Sequence, residues 1–216
     1  AGSNDSGKTS TVAALIEEIN KNAKKYIITL ENPIEYLFIN KKSIIEQRQI
    51  GRDVDSYVAG LEHCLKEDVD LVYIDDVKSE LDNSISFILE LAAGNSLVIL
   101  EINAENSIRA IDKILNALQE KVSVEAARFN LADVIAAVIS QKLISSLGGG
   151  MSLASEILIA NSAVRSLIRE GKIYQLESII QTSREEGMIS MEQSIKELIS
   201  QGKIDQKEVN RLKLNL

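Results

Sequence analysis

Residues 2 to 9 read Gly-Ser-Asn-Asp-Ser-Gly-Lys-Thr and satisfy the spacing G-x-x-x-x-G-K-[ST] at every fixed position. Glycines at those two places let the backbone fold into a nest whose N–H groups converge on an anion. In that arrangement Gly2, Ser3, Asn4, Asp5, Ser6 and Gly7 surround phosphate oxygens. Lys8 reaches the β- and γ-phosphates, and the Thr9 hydroxyl holds Mg²⁺. The chemistry is binding of ATP or GTP. A second cluster, Leu71-Val72-Tyr73-Ile74-Asp75-Asp76, is a hydrophobic run ending in two carboxylates. This Walker B arrangement delivers acids from a strand end toward a cation and an attacking water. Successive strand residues point to opposite faces, so both acids engage equally only if the strand ends between them. The plainer reading is a pair of solvated acids opening the next loop.

These residues need elements to position them. Strand-like runs lie at Tyr26–Leu30, Ser43–Gln47, Leu71–Ile74 and Ser96–Leu100. Between and around them, apolar residues recur at helical spacing. The stripes are Val12, Leu15, Ile16, Ile19; then Val54, Val58, Leu61, Leu65; then Leu81, Ile85, Ile88, Leu89; then Ile108, Ile111, Ile114, Leu115. Alternation of strand and helix predicts an α/β core around a mostly parallel sheet. The Val12 stripe places a helix N-terminus directly behind the glycine loop, where its dipole favours an anion. A long helical stretch is predicted near Val122–Ile139. After it, Leu143–Leu147 and Met151–Leu158 read as two short strands joined by Gly148-Gly149-Gly150. From Asn161 onward the pattern is helical, with Gly171, Gly187 and Gly202 at helix ends. The phosphate loop is expected to follow a buried strand, yet only Ala1 precedes Gly2. The chain is therefore expected to be a fragment cut just before its motif.

The 216 residues carry 24 Lys and Arg against 32 Asp and Glu, a net charge of −8, which argues against a general grip on nucleic acid. Tyr26, Tyr36, Tyr57, Tyr73 and Tyr174 lack the basic interleaving of a base-stacking platform. No apolar run approaches the roughly 18 residues of a membrane span. The single cysteine, Cys64, excludes an internal disulfide framework and fits a reducing compartment. His63 and Cys64 are adjacent on a predicted helix with no further histidine to join them, which makes a structural role the simpler reading.

Three further segments carry a resemblance. Ile27-Ile28-Thr29-Leu30-Glu31-Asn32-Pro33-Ile34-Glu35-Tyr36 is similar to the Asp box I-I-T-I-E-D-P-I-E-F/Y of the PilT-like, twitching-motility branch of the type II/type IV secretion ATPases. Gln47-Arg48-Gln49-Ile50-Gly51-Arg52-Asp53 resembles that family's Q-R-E-V-G-R-D segment. Ala163-Val164-Arg165-Ser166-Leu167-Ile168-Arg169-Glu170 resembles its retraction signature, A-I-R-N-L-I-R-E. The resemblance extends through Ile180-Gln181-Thr182 and Gly187-Met188, and so covers nearly the whole chain in order. It implies a RecA-like P-loop core over residues 1–159 and a helical C-terminal domain over 160–216. It further implies a homo-hexamer that hydrolyses ATP with Mg²⁺ at the cytoplasmic base of a pilus. Such a ring acts on an inner-membrane platform protein, at the inner face of the membrane and without inserting into it.

The chain departs from the family pattern at sites of chemistry. Where the family's Walker B strand ends in Gly-Glu, this chain has Asp75-Asp76. Asp76 keeps the carboxylate that would orient water but is one methylene shorter, and a shift of about 1 Å can cost around a hundredfold in rate. Asp75 could supply the magnesium-side acid instead. Asn32 stands where the Asp box has Asp, neutral but isosteric, with Glu31 and Glu35 remaining as acids. The L-H-T of the His box reads Ile102-Asn103-Ala104, and Asn103 can still sense a water or γ-phosphate by hydrogen bonding without taking a proton. Arg48 and Arg52 could stabilise phosphate charge, within one subunit or across an interface, or form surface pairs with Asp53 or Asp55. Arg165 and Arg169 either serve retraction or form ordinary helix-surface pairs with Glu170 or its neighbours.

The expected function is a retraction motor with Glu31, Asp76, Arg48 and Arg52 as catalytic candidates. Two alternatives stand beside it. One is a nucleotide-binding paralogue with weak hydrolysis that regulates a mixed ring. The other is an extension or type II secretion ATPase, relatives of which often carry a four-cysteine metal site that Cys64 alone cannot build. Lys8→Ala is expected to abolish nucleotide binding in a fluorescence titration, and unchanged affinity would remove the site assignment.

Overall fold

In the computed structural model, which describes residues 1–211, the β-branched runs form strands and the apolar stripes form helices. The order begins α1 (Lys8–Asn22), β1 (Tyr26–Glu31), β2 (Ile44–Gln49), α2 (Tyr57–Lys66) and β3 (Leu71–Ile74). It continues with α3 (Leu81–Ala93), β4 (Leu97–Leu100), α4 (Ser107–Gln119), α5 (Val124–Val134), β5 (Ala137–Ser145) and β6 (Met151–Ile159). The helices α6 (Ser162–Arg169), α7 (Leu176–Thr182), α8 (Met191–Ser200) and α9 (Gln206–Arg211) follow. Two compact units form. One contains Lys8–Ile102 and Ile114–Val134, and the other Ala1–Gly7, Asn103–Lys113 and everything from Ile135 onward. This grouping by packing is distinct from a division at 159/160 by family architecture.

The first unit holds a four-stranded parallel sheet in the order β2-β1-β3-β4. Its register places Leu30 opposite Ile74 and Ile74 opposite Leu100. Every residue of β3 is buried, as expected of a parallel strand covered on both faces. On one face Val12 and Ile16 of α1 pack with Ile27, Leu71 and Tyr73, flanked by Ile19, Phe38, Ile45 and Ile99. Ile16 is fully buried, worth about 2–3 kcal/mol on its own. α2 lies against β1 closely enough that a methyl group at Gly60 would come within 2.8 Å of Leu30. Its start is capped by Ser56, whose hydroxyl accepts the Ala59 N–H at 3.2 Å. Cys64 is buried in α2, and burial pushes its thiol up to about 11, which suits a packing role.

The second unit is built on the antiparallel pair β5–β6, in register from Ala137 opposite Ile159 to Ser145 opposite Met151. Each strand has nine residues, longer than the short strands expected. The helix expected across 122–139 stops at Val134, and Ala137–Ile139 enter β5 instead. Pairing with β6 captures this β-branched segment, whose periodicity alone suits either a buried helix or a strand. Ile144 and Ala154 of this ribbon pack with Ile195, Ile204 and Val209. Ala1 and Gly2 run parallel to β5: the Ala1 amine donates to the Ile139 carbonyl at 2.6 Å, and the Gln141 N–H donates to the Ala1 carbonyl at 3.0 Å.

Asp70 anchors the start of β1. Its carboxylate accepts the Tyr26 N–H at 2.8 Å and pairs with Lys25 at 2.6 Å, which hold it below the usual carboxylate range. A depressed folded-state pKa gives stability that is present above the unfolded value and lost as pH falls through the folded one. Asp70→Asn is therefore expected to cost at most about 1 kcal/mol at pH 7, the pair being solvent-screened, and nothing in strong acid. Urea denaturation across pH measures this.

Candidate active site

Within the second unit, the loop Gly2–Gly7 has the backbone shape of an anion nest. Gly2, Asp5 and Gly7 have φ of 153°, 60° and 84°. Ser6 is 3% exposed, and its hydroxyl oxygen is buried without a hydrogen-bond partner among the described residues. An orphaned buried hydroxyl in a loop of this shape suits a phosphate oxygen. Asn103, exposed, donates from its side-chain amide to Asn4 Oδ1 at 2.9 Å, which brings the sensor candidate to the rim of the loop.

One peptide bond further, Lys8 and Thr9 open α1 in the first unit, at the helix end that favours anions. The parallel register brings an acid to each of three aligned strand ends: Glu31 closes β1, and Asp75 and Glu101 directly follow Ile74 of β3 and Leu100 of β4. The ladder continues into this row, since the Asp75 N–H donates to the Leu30 carbonyl at 3.1 Å and the Glu101 N–H to that of Ile74 at 2.9 Å. Burial raises all three carboxyl pKa values above their ordinary range. Each has donors that oppose the rise. Glu31, 2% exposed, accepts the Thr29 hydroxyl at 2.6 Å and the Gln47 amide at 3.2 Å. Asp75 accepts the Tyr57 hydroxyl on Oδ1 and the Asn32 N–H at 2.5 Å on Oδ2. Glu101, 5% exposed, accepts the Tyr73 hydroxyl at 2.7 Å, and the Lys8 charge and the Thr9 hydroxyl also oppose its rise. Burial first, then the neighbouring acids, raises the Tyr57 and Tyr73 hydroxyl pKa values and keeps both as donors.

Other candidates sit apart from this row. Asp76 is half-buried beyond it, and its carboxylate accepts the Lys78 N–H at 3.3 Å. The Asn32 side chain is exposed. Arg48 pairs with Glu46 at 2.7 Å and Glu67 at 3.0 Å. Burial works against its charge, but those two hydrogen bonds outweigh it and raise its pKa. Arg52 pairs at the surface with Asp53 at 2.8 Å. The signature segment forms α6, capped by Asn161, whose side-chain oxygen accepts the Val164 N–H at 2.9 Å. Val164 and Ile168 are fully buried, Ala163 is exposed, Leu167 and Arg169 are half-buried, and Arg165 donates to the Ala160 carbonyl at 3.0 Å. Glu170 pairs with Lys172 at 2.7 Å.

Sequence reasoning missed Glu101 and the two tyrosine hydroxyls. The signal for Glu101 was available: like Asp75, it directly follows a four-residue apolar strand. Among the described residues, no group of three or more His, Cys, Asp or Glu side chains is placed to hold a metal ion. Magnesium nevertheless fits the donor set around Thr9, because it is usually bound by one or two protein oxygens with phosphates and waters completing the shell.

A Cβ on Gly2 would lie 2.2 Å from Ser6 Oγ and 2.8 Å from the Gln141 carbonyl oxygen. Gly2→Ala is expected to strain the loop by about 1–3 kcal/mol. The check is ATP affinity by titration, which should fall while the circular dichroism spectrum is retained.

Comparison with known proteins gives this geometry a family. A model of the type II/IV secretion system protein family matches residues 1–150. A twitching motility protein of Neisseria gonorrhoeae is 37% identical over 94% of this chain and 54% of its own length. The type IV pilus retraction ATPase PilT of Pseudomonas aeruginosa is 34% identical over 94% of this chain and 58% of its own. A crystal structure of the pilus retraction motor PilT with bound ADP superposes with a TM-score of 0.87 at 34% identity, over 96% of this chain and 58% of that one. This chain thus spans between half and two thirds of the length of these relatives. By its phosphate loop, its parallel sheet with acids at the strand ends and these similarities, the chain belongs to the type II/IV secretion system protein family and carries its RecA-like α/β fold.

Proposed function

We propose that this chain is the ATP-binding and ATP-hydrolysing motor portion of a type IV pilus retraction ATPase. It works as a homo-hexamer in the cytoplasm, against the inner face of the membrane, on a pilus platform protein. The observation that carries the reading is the Gly2–Thr9 loop. Its positive-φ backbone and orphaned Ser6 hydroxyl suit phosphate, and its lysine and threonine open a 15-residue helix. The PilT relatives, one of them described with ADP, support ATP as the nucleotide. Among the described residues, no helix is long and apolar enough to cross a membrane, which is compatible with a motor docking beneath one.

The residues divide the work as follows. Loop N–H groups and the Ser6 hydroxyl bind phosphate oxygens, Lys8 neutralises them and Thr9 holds the cation. Mg-ATP, when bound, supplies the phosphoanhydride and the charge that polarises it. Asp76 orients the attacking water, and Glu31 is a second, buried catalytic acid. Asn103 reports on the γ-phosphate through Asn4. Asp75 ties the Asn32 turn to Tyr57, a positioning role beside the cation-side role its sequence position suggests.

A second reading is favoured by one observation: Asp76 is a short acid that already accepts the Lys78 N–H. A subunit that binds nucleotide but hydrolyses it weakly would regulate a mixed ring. Phosphate release by the full-length protein separates the two readings. Measurable turnover in the parent supports the motor. Turnover near zero in the parent, rising about a hundredfold in Asp76→Glu, supports the weakly hydrolysing subunit.

A further inference from the structure

One half-buried side-chain amide bonds in two directions at once. Gln47 lies on β2 directly opposite Thr29 of β1, and Glu31 follows Thr29 by two residues on the same face. The register thus brings the three side chains together. Glu31 Oε1 accepts both the Thr29 hydroxyl at 2.6 Å and the Gln47 amide at 3.2 Å. The same Gln47 nitrogen donates to the Tyr36 carbonyl at 2.7 Å, and the Gln47 Oε1 accepts the Phe38 N–H at 2.9 Å. The amide fits only this way round, since a flip would set its oxygen against a carboxylate and a carbonyl. Tyr36 carries the path onward, because its hydroxyl and that of Ser10 lie 2.7 Å apart. Ser10 is in the first turn of α1, one residue beyond Thr9. Every group on this path belongs to the first unit.

We propose that Gln47 is a positioning residue that holds the Glu31 carboxylate and ties its position, through Tyr36, to the nucleotide-binding end of α1. This rests on the reading of Gly2–Thr9 as a nucleotide loop and of Glu31 as a catalytic acid. The two ends of the path differ in strength. Glu31 is 2% exposed, so a donor lost there is not replaced by water and the inner end is firm. The Tyr36–Ser10 contact is exposed, so water competes for both hydroxyls and the outer end exchanges readily. A movement of α1 when nucleotide binds is therefore felt at Tyr36 and delivered through the Gln47 amide to Glu31. The role needs an N–H donor and an acceptor at one neutral tip. An ionised glutamate at this place has no N–H for Glu31 or for the Tyr36 carbonyl, and methionine has none either.

The outer end is tested by amide hydrogen exchange of the segment 34–40 in the full chain, without nucleotide and with saturating Mg-ATP. In the parent, nucleotide is expected to slow this segment at least about threefold. Gln47→Met should bind ATP within about threefold of the parent by titration, yet lose that slowing. Gln47→Glu should do the same and serves if the methionine variant does not fold. Tyr36→Phe, which removes only the contact with Ser10, should also lose the slowing. Thr29→Val, which removes a donor to Glu31 but leaves the path to α1, should keep it. A merely structural Gln47 predicts faster exchange by the same factor with and without nucleotide. That result, or a segment that ATP leaves unchanged in the parent, overturns the proposal. The inner end is read by phosphate release from the full-length protein, in the Asp76→Glu background if the parent does not turn over. Gln47→Met should lower kcat about tenfold with KM within about threefold. An unchanged kcat, or no turnover in either background, overturns the role at Glu31. Failure of the unaltered chain to bind ATP at all overturns the nucleotide reading and this inference together, whereas binding with an unaltered exchange ratio in both Gln47 variants removes only this one.

Discussion

The parallel hydrogen-bond register of β1, β3 and β4 is the constraint on which the rest of the site depends. Leu30, Ile74 and Leu100 lie at one level across the sheet, so the chain leaves all three strands on the same line. The residue next to each of these three is delivered to one edge, and in this chain it is an acid every time. A one-residue slip of β4 would turn its side chains to the opposite face and take Glu101 away from the Tyr73 hydroxyl. The apolar layer beneath, where Ile99 of β4 packs against Val12, Ile16, Ile27, Leu71 and Tyr73, resists that slip because it would take Ile99 out of the layer.

Placing three carboxylates on one buried row is costly, and the fold offsets the cost locally. Burial raises each acid's pKa, and Asp75 adds like-charge repulsion to both Glu31 and Glu101. The compensation comes from Thr29, Tyr57, Tyr73, Thr9 and the Asn32 N–H, one or two donors to each acid. Two tyrosines that contribute most of their area to packing thus also act as polar struts, 4% and 2% exposed with their hydroxyls turned to acids. Such arrangements are expected where a site must hold negative charge ready for a cation rather than where stability alone is selected.

The departures from the family pattern take on a different meaning beside this row. Asp75 replaces a glycine of the pattern, and its carboxylate is held between a helix and the turn after β1. Asp76 stands outside the row. Glu101 places a buried acid just before the altered His box. Acids thus stand at three strand ends of this chain, Glu101 among them.

Much of this was legible in the sequence. The phosphate loop, the strand Leu71–Ile74 and the α/β alternation follow from local spacing, because a helix needs a 3.6-residue stripe and a covered parallel strand needs an unbroken apolar run. The family resemblance rests on motifs of the same local kind. What local spacing could not decide was where 134–139 belongs, since a β-branched apolar run satisfies either element until β6 pairs with it. Nor could it show that Arg48 and Arg52 are committed to Glu46, Glu67 and Asp53, or that Tyr57 and Tyr73 supply hydroxyls to acids far away in the chain. Sequence by itself determined which residues can do chemistry and which elements carry them. Only the tertiary structure decided which acids share one buried row and which hydroxyls hold them, because that depends on strand order and register, and these are set by contacts between segments distant in sequence.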